Sequence, residues 1–268
     1  MLSFDRVGNG EPLLVLHGFG STRDDFAGLI PRLAEDFEVW SVDLPGHGNS
    51  PPIEDRPTVG ALAAAIMRDL DAHGLDRVHV LGNSLGARLA IELAIQGRAL
   101  SVVAISPSGL ALPAERLHQG MMMTTSRVLN RVREPWIDDL AETPAGRTVL
   151  LAGMRAAPWQ ASPAEARIAK GGFARQRQFW PTLWDAIITD VPTGLDRITC
   201  PVIVAQGSLD IVGSGQTPRY SPFIRESEFV LLPFGGHAPH SDNPNAIVSL
   251  VRRAAERATR LQESAQPV

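Results

Sequence analysis

VHVLGNSLGARLAIELA, residues 78–94, changes its periodicity at a single serine. Before Ser84 the run VHVLGN is short and nearly continuously apolar, as suits a strand covered on both faces. After it, SLGARLAIELAIQG (84–97) has helical spacing and stops at Gly97. A strand that feeds straight into a helix forces the turn residue into a strained backbone and stands its side chain above the sheet edge. Gly82 and Gly86 remove the Cβ atoms that would clash there. The turn also aims Ser84 along the positive end of the helix, where developing negative charge is stabilised. GNSLG is thus a nucleophile-elbow pattern, G-x-S-x-G, in the strand–turn–helix context that gives the pentapeptide its meaning.

Similar strands are predicted on both sides of this one. LLVLHG (13–18), FEVWSVD (37–43), VVAIS (102–106), PVIVAQG (201–207) and EFVLLP (228–233) are short runs rich in Val, Leu and Ile, bounded by turn residues. Helical patterns lie between them. TVGALAAAIMRDLDAHG (58–74) starts at a Thr58 cap and stops at Gly74. NPNAIVSLVRRAAERATRLQE (243–263) starts with Asn243 as cap and Pro244 at the first helical position. Strand–helix alternation of this kind predicts an α/β fold with a mostly parallel, doubly wound sheet. The alternation breaks between about Pro107 and Asp196, where the chain is helical in tone and punctuated by Pro113, Pro135, Pro144, Pro158, Pro163 and Pro181. A helical insertion between two sheet strands accounts for it. That stretch holds Trp136, Trp159, Trp180, Trp184 and the run MMM (121–123), which suggest an apolar pocket wall but are expected mainly to pack the insertion against the sheet.

The bulk properties bound the function. A chain of 268 residues, 44% apolar, can bury one large core. A formal net charge of −4 provides no polyanion-binding signal, so nucleic acid is not an expected partner. The single cysteine, Cys200, excludes an internal disulfide framework and a thiolate-only zinc site. The start MLSFDRVGNG has no basic region followed by an apolar stretch, and no apolar run approaches the roughly 20 residues that span a bilayer. The expectation is a cytoplasmic protein with no membrane association, a monomer or homodimer.

A serine hydroxyl needs a base, and the base an orienting group. SLDIVG places Asp210 just beyond one strand, and FGGHAPHSDNP places His237 beyond the next, at the sheet edge where open α/β folds bind ligands. The order Ser84, Asp210, His237 suits this arrangement. His240 competes with His237, which directly follows the Gly235–Gly236 pair; Asp242 competes with Asp210 but falls where the last helix should begin. SPSGLALP, after the strand ending near Ser106, contains no acid. His73, His79 and His118 read as ordinary surface or core histidines. HGFGS (17–21) follows an early strand; the N–H of Phe19 and the N–H of Leu85 are the candidate oxyanion donors. His17 and Gly18 shape that turn, and DLPGHGNS (43–50), with His47, is a loop-forming element.

Taken together, HGFG, DLPGHGNS, GNSLGA and FGGHAPHSDNP resemble the α/β-hydrolase fold superfamily, in its order and across most of the chain outside the insertion. The resemblance implies an eight-stranded, mostly parallel sheet formed by residues 1–107 and 196–268. It implies a mobile helical cap over residues 108–195, a Ser84–His237–Asp210 triad and no cofactor. Two departures stand out. Ser214 occupies the place, four residues after the acid, where relatives commonly carry proline. GNS is similar to carbon–carbon bond hydrolases of aromatic degradation, yet Ala238 stands where those usually carry tryptophan, and GHAPH looks more like small carboxylesterases. A serine rather than aspartate at position 84 argues against haloalkane dehalogenase and epoxide hydrolase chemistry.

The expected activity is cleavage of a small carboxylic ester through an acyl-enzyme. The alternatives are hydrolysis of a vinylogous diketone, with Arg155, Arg175 or Arg177 facing a substrate carboxylate unless they are solvated helix faces, and lactone or thioester cleavage. A ligand receptor on the same fold is the non-enzymatic alternative.

Overall fold

The structure, a computed structural model, describes residues 1–213 and 215–265. Ser214 lies outside the described residues. The strands are β1 (Phe4–Val7), β2 (Glu11–Leu16), β3 (Phe37–Val42), β4 (Val78–Asn83), β5 (Ala99–Ile105), β6 (Val202–Gly207) and β7 (Ser227–Leu232). They form one sheet in the order β1-β3-β2-β4-β5-β6-β7, parallel except for β1, which pairs antiparallel with β3. All six apolar runs become strands. With β1 the sheet has seven strands among the described residues, not the eight the resemblance implies, and the described chain outside these seven is helix, turn and irregular. β1, FDRV, is an exposed edge strand without an apolar run to announce it.

The helices are α1 (Ile30–Leu33), α2 (Val59–Ala72), α3 (Leu85–Ile95), α4 (Pro113–Arg133), α5 (Ile137–Glu142), α6 (Pro144–Leu150), α7 (Pro163–Gly171), α8 (Phe179–Thr182), α9 (Pro239–Asp242) and α10 (Pro244–Ala265). The Thr58 hydroxyl accepts from Ala61 N–H at 3.2 Å, capping α2 as its sequence predicts. Asn243 departs from expectation: its side-chain amide donates to the Pro233 carbonyl at 2.8 Å instead of capping α10, since it is drawn back to the chain leaving β7. Gly74 and Gly97 close α2 and α3 with φ of +70° and +73°.

Alternate residues of the strands divide between two layers, as the period-2 geometry of a strand requires. Leu14, Leu16, Val80, Val102 and Val204 pack with the α2 and α3 face that includes Leu62, Ile66 and Leu89. Leu13, Val15, Leu81, Val103 and Ile203 pack with Phe26, Leu33 and, from α10, Ile247 and Val251. Each such side chain contributes roughly 1.5–3 kcal/mol on burial.

Between β5 and β6 the chain is helical, with α4 to α8. Pro113, Pro144 and Pro163 sit at the first helical positions of α4, α6 and α7, where a missing N–H costs nothing. Met123, Phe179, Leu183 and Ile187 join the core above the sheet, while Ile137, Ala141, Leu150 and Ala166 form a small cluster of their own. The tryptophans do not pack the insertion against the sheet. Trp136, Trp159, Trp180 and Trp184 are all at least half exposed, because the inward face of this region is taken by phenylalanine, methionine and aliphatic side chains. No helix among the described residues is long and apolar enough to cross a membrane.

Candidate active site

Ser84 is the single residue between β4 and α3, and its backbone is strained: φ +54°, ψ −114°. Such conformations cost of order 1–3 kcal/mol and persist only where the surroundings enforce them. The enforcement is visible. Ser84 N–H donates to Ile105 O at 2.8 Å, and Ser84 O accepts from Arg88 N–H at 3.0 Å. A Cβ on Gly82 would lie 2.3 Å from Gly86 O, and one on Gly86 would lie 2.1 Å from Leu16 O. Backbone meets backbone on both sides of the serine. Neither glycine has positive φ, so closeness rather than conformational freedom requires them.

The turn after β2 lies against this elbow. A Cβ on Gly18 would come within 3.3 Å of Ser84 Cβ. The N–H groups of Phe19 and Leu85 have no acceptor among the described residues, which leaves both free for a ligand oxygen. His17 holds the turn. Leu44 N–H donates to its Nε2 at 3.0 Å, so Nδ1 carries the proton and donates to Gly18 O at 2.8 Å. Burial pushes its pKa below the ordinary histidine value, which keeps it neutral. Behind it, the Asp43 carboxylate accepts from Arg23 N–H and Asn49 N–H, both at 2.9 Å, and from the Arg23 guanidinium at 2.5 Å. His47 donates from Nδ1 to Pro45 O at 3.0 Å; burial and the neighbouring His17 hold its pKa at about 3. DLPGHGNS is thus a self-organised loop, as its composition suggests.

Asp210 and His237 are joined. The imidazole Nδ1 lies 3.0 Å from both carboxylate oxygens, and Oδ1 also accepts from Val212 N–H and Gly213 N–H, each at 2.8 Å. Burial alone would raise the Asp210 carboxyl; the charge and hydrogen bond of His237, with the Gly213 N–H, hold it down at about 2. An ionised partner on Nδ1 fixes the tautomer, leaving Nε2 as the basic nitrogen. Ser84 and His237 line one cavity of about 110 Å³. Among the described residues no hydrogen bond joins the Ser84 hydroxyl to the imidazole, a contact often long in unliganded enzymes. What ties the two loops is Asn83, whose amide donates to His237 O at 2.9 Å. Its signal in the sequence is a polar residue at the end of an apolar run.

The rivals are occupied elsewhere. His240 is stacked on Phe26, with ring centroids 4.2 Å apart, and lies 3.5 Å from Asp25. Asp242 ends α9 rather than beginning α10, and its carboxylate accepts from Gly236 N–H at 2.8 Å and Ala156 N–H at 3.0 Å. It therefore staples the histidine loop to the insertion. Arg155 completes that staple, donating to Ser241 O and to Glu165, both at 2.8 Å. Arg155 is neither a solvated helix face nor a free cation. Arg175 is exposed and paired with Glu134 at 2.8 Å, and Arg177 is exposed; neither borders the cavity. Met122 and Met123 do line it; none of the four tryptophans does. Burial pushes the Cys200 thiol up to about 11, so it is no competing nucleophile.

Comparison with known proteins gives the family. The model of the alpha/beta hydrolase family matches residues 13–250. The chain is 26% identical to a pimeloyl-[acyl-carrier protein] methyl ester esterase of Aeromonas hydrophila, over 93% of this chain and 97% of that protein. It is 38% identical over 104 residues to the dihydrolipoyllysine-residue acetyltransferase component of the acetoin cleaving system of Cupriavidus necator, spanning only 28% of that protein's length. The enol-lactonase of Burkholderia xenovorans LB400 has the same fold, with a TM-score of 0.75 at 18% identity over 94% of this chain and 95% of its own. With its elbow, its sheet and this match across most of its length, the chain belongs to the alpha/beta hydrolase family and is a hydrolase.

Proposed function

We propose that the protein cleaves a small carboxylic ester through an acyl-enzyme on Ser84. The observation that carries this reading is the buried Asp210–His237 pair, whose histidine lines the same cavity as a serine held at an enforced positive φ. In this mechanism His237 Nε2 takes the proton of the Ser84 hydroxyl as its oxygen attacks the ester carbonyl. The Phe19 and Leu85 N–H groups receive the oxyanion, and Asp210 stabilises the imidazolium. The imidazolium protonates the departing alkoxide. Water, deprotonated by His237, then attacks the acyl carbon and releases the acid and Ser84.

Residues 108–195 serve in this reading as a cap, closing the cavity over the sheet edge formed by residues 1–107 and 196–268. A full-length relative named as a methyl ester esterase favours ester over carbon–carbon cleavage. So does the commitment of Arg155 to Ser241 and Glu165, which leaves it unavailable to a substrate carboxylate. The test is turnover of p-nitrophenyl butyrate beside a coloured ring-fission diketone. Wild-type protein should release p-nitrophenolate, and Ser84→Ala should lower kcat by at least about 1,000-fold. Undiminished turnover in the variant, or bleaching of the diketone alone, would overturn the proposal.

A further inference from the structure

The cavity above Ser84 is walled largely by apolar side chains, among them Phe19, Met122, Met123, Leu150, Ile187 and Val212. One corner differs. Gln119 from α4, Gln216 from the turn after the Asp210 loop and Ser108 from the turn after β5 all line it. They are 4%, 2% and 4% exposed, and Gln119 Oε1, Gln216 Oε1 and Ser108 Oγ have no hydrogen-bond partner among the described residues. Buried polar atoms are normally paired, so these three orphans, with Asn83 Oδ1 and Asn130 Oδ1 also unpaired on the lining, point to ligand groups that pair them.

The corner is built rather than incidental. Gln119 Nε2 donates to Val212 O at 3.2 Å. A carbonyl only accepts, so the amino end of Gln119 must face Val212 and its carbonyl oxygen is the end left over. The Tyr220 hydroxyl donates to Ser108 O, tying the β5 turn to the segment that follows Gln216. The neighbouring cation, Arg219, is already spent on Glu115 and Leu110 O. The corner offers the Gln119 carbonyl oxygen as a fixed acceptor beside Gln216 and the Ser108 hydroxyl, which can accept as well, and it holds no free positive charge; a carboxylate buried there would lack a counter-charge, whereas a neutral donor is suited.

We infer that this corner is a subsite for a neutral hydroxyl or amide N–H on the substrate, so that the preferred ester carries a hydrogen-bond donor a few atoms from its carbonyl. The inference rests on the proposed esterase reading for the identity of the reacting group, but not for the binding preference. A site built to hydrogen-bond such a group rejects an analogue lacking it, because its own buried atoms are then left unpaired.

The experiment compares methyl butanoate, methyl 3-hydroxybutanoate, methyl 4-amino-4-oxobutanoate and the singly charged methyl succinate by titrating released acid. The expected result is a kcat/KM at least tenfold higher for the hydroxyl or the amide ester than for methyl butanoate, with the succinate slowest. Gln119→Met and, separately, Gln216→Met should erase most of that advantage, lowering kcat/KM for the donor-bearing esters by a larger factor than for methyl butanoate. The Gln216 side chain makes no hydrogen bond among the described residues, so its replacement removes no structural one. Equal wild-type rates on the neutral esters, a faster succinate, or an advantage that survives both substitutions would overturn the subsite. Calorimetric binding of methyl 3-hydroxybutanoate and methyl butanoate to Ser84→Ala reads the same preference without turnover. A binding preference with no wild-type hydrolysis would overturn the esterase reading and sustain the subsite; hydrolysis with no preference would do the reverse.

Discussion

Gly86 shows how little room the candidate nucleophile's turn leaves. Its missing side chain would have met Leu16 O at 2.1 Å and His17 O at 2.5 Å, both backbone atoms that cannot swing aside. Gly86→Ala should therefore destabilise the fold by about 1–3 kcal/mol or more, read as a lower urea midpoint; an unchanged midpoint would contradict the close packing. His47 makes a second prediction at this scale. Its pKa is about 3 in the fold, against about 6.5 in an unfolded chain. Below about 6.5 the unfolded chain binds a proton that the native state refuses, so stability falls with pH from there toward 3; above that window this group contributes no pH dependence. Buried His17 acts in the same direction. The thermal midpoint should fall between pH 7 and pH 5, and His47→Gln should flatten part of that slope; an identical slope in the variant would refute the assignment. GNSLG was legible because steric closeness leaves a glycine signature. Asn83, which ties the histidine loop to the elbow, carries no pattern that separates it from any other asparagine.

The decisive element is the loop from β7 through α9. Three residues beyond His237, α9 turns His240 away to stack on Phe26. His237→Ala should accordingly lower ester turnover at least about 1,000-fold, whereas His240→Gln should stay within about threefold. Loss of turnover with the second substitution and not the first would reverse the assignment of the base. Elements with a strong period were readable: six strands, α2, α3 and α10 all lie where their apolar spacing puts them. β1 was not, since an exposed edge strand buries nothing and needs no apolar face. Asn243 and the four tryptophans misled for a shared reason. Each has a plausible local use, capping a helix or filling a core, but tertiary partners decide otherwise.

At the scale of the molecule, a parallel sheet delivers the ends of β2, β4, β6 and β7 to one edge, where side chains from α4, α6 and α7 line the cavity with Ser84 and His237. Chain order alone predicts which loops meet there, because parallel strands all end on the same side. The staple of Arg155, Asp242 and the Ala156 N–H was beyond reach, since it joins segments more than 80 residues apart with no shared pattern. So was the polar corner of the cavity. The account as a whole turns on Ser84 being the activated nucleophile, and covalent capture reads that without reference to any substrate. After treatment with a fluorophosphonate, intact mass and peptide mapping of the wild-type protein should show one adduct, on Ser84, formed far more slowly in His237→Ala. An adduct on another residue, or an unmodified Ser84 in protein that still hydrolyses esters, would contradict it.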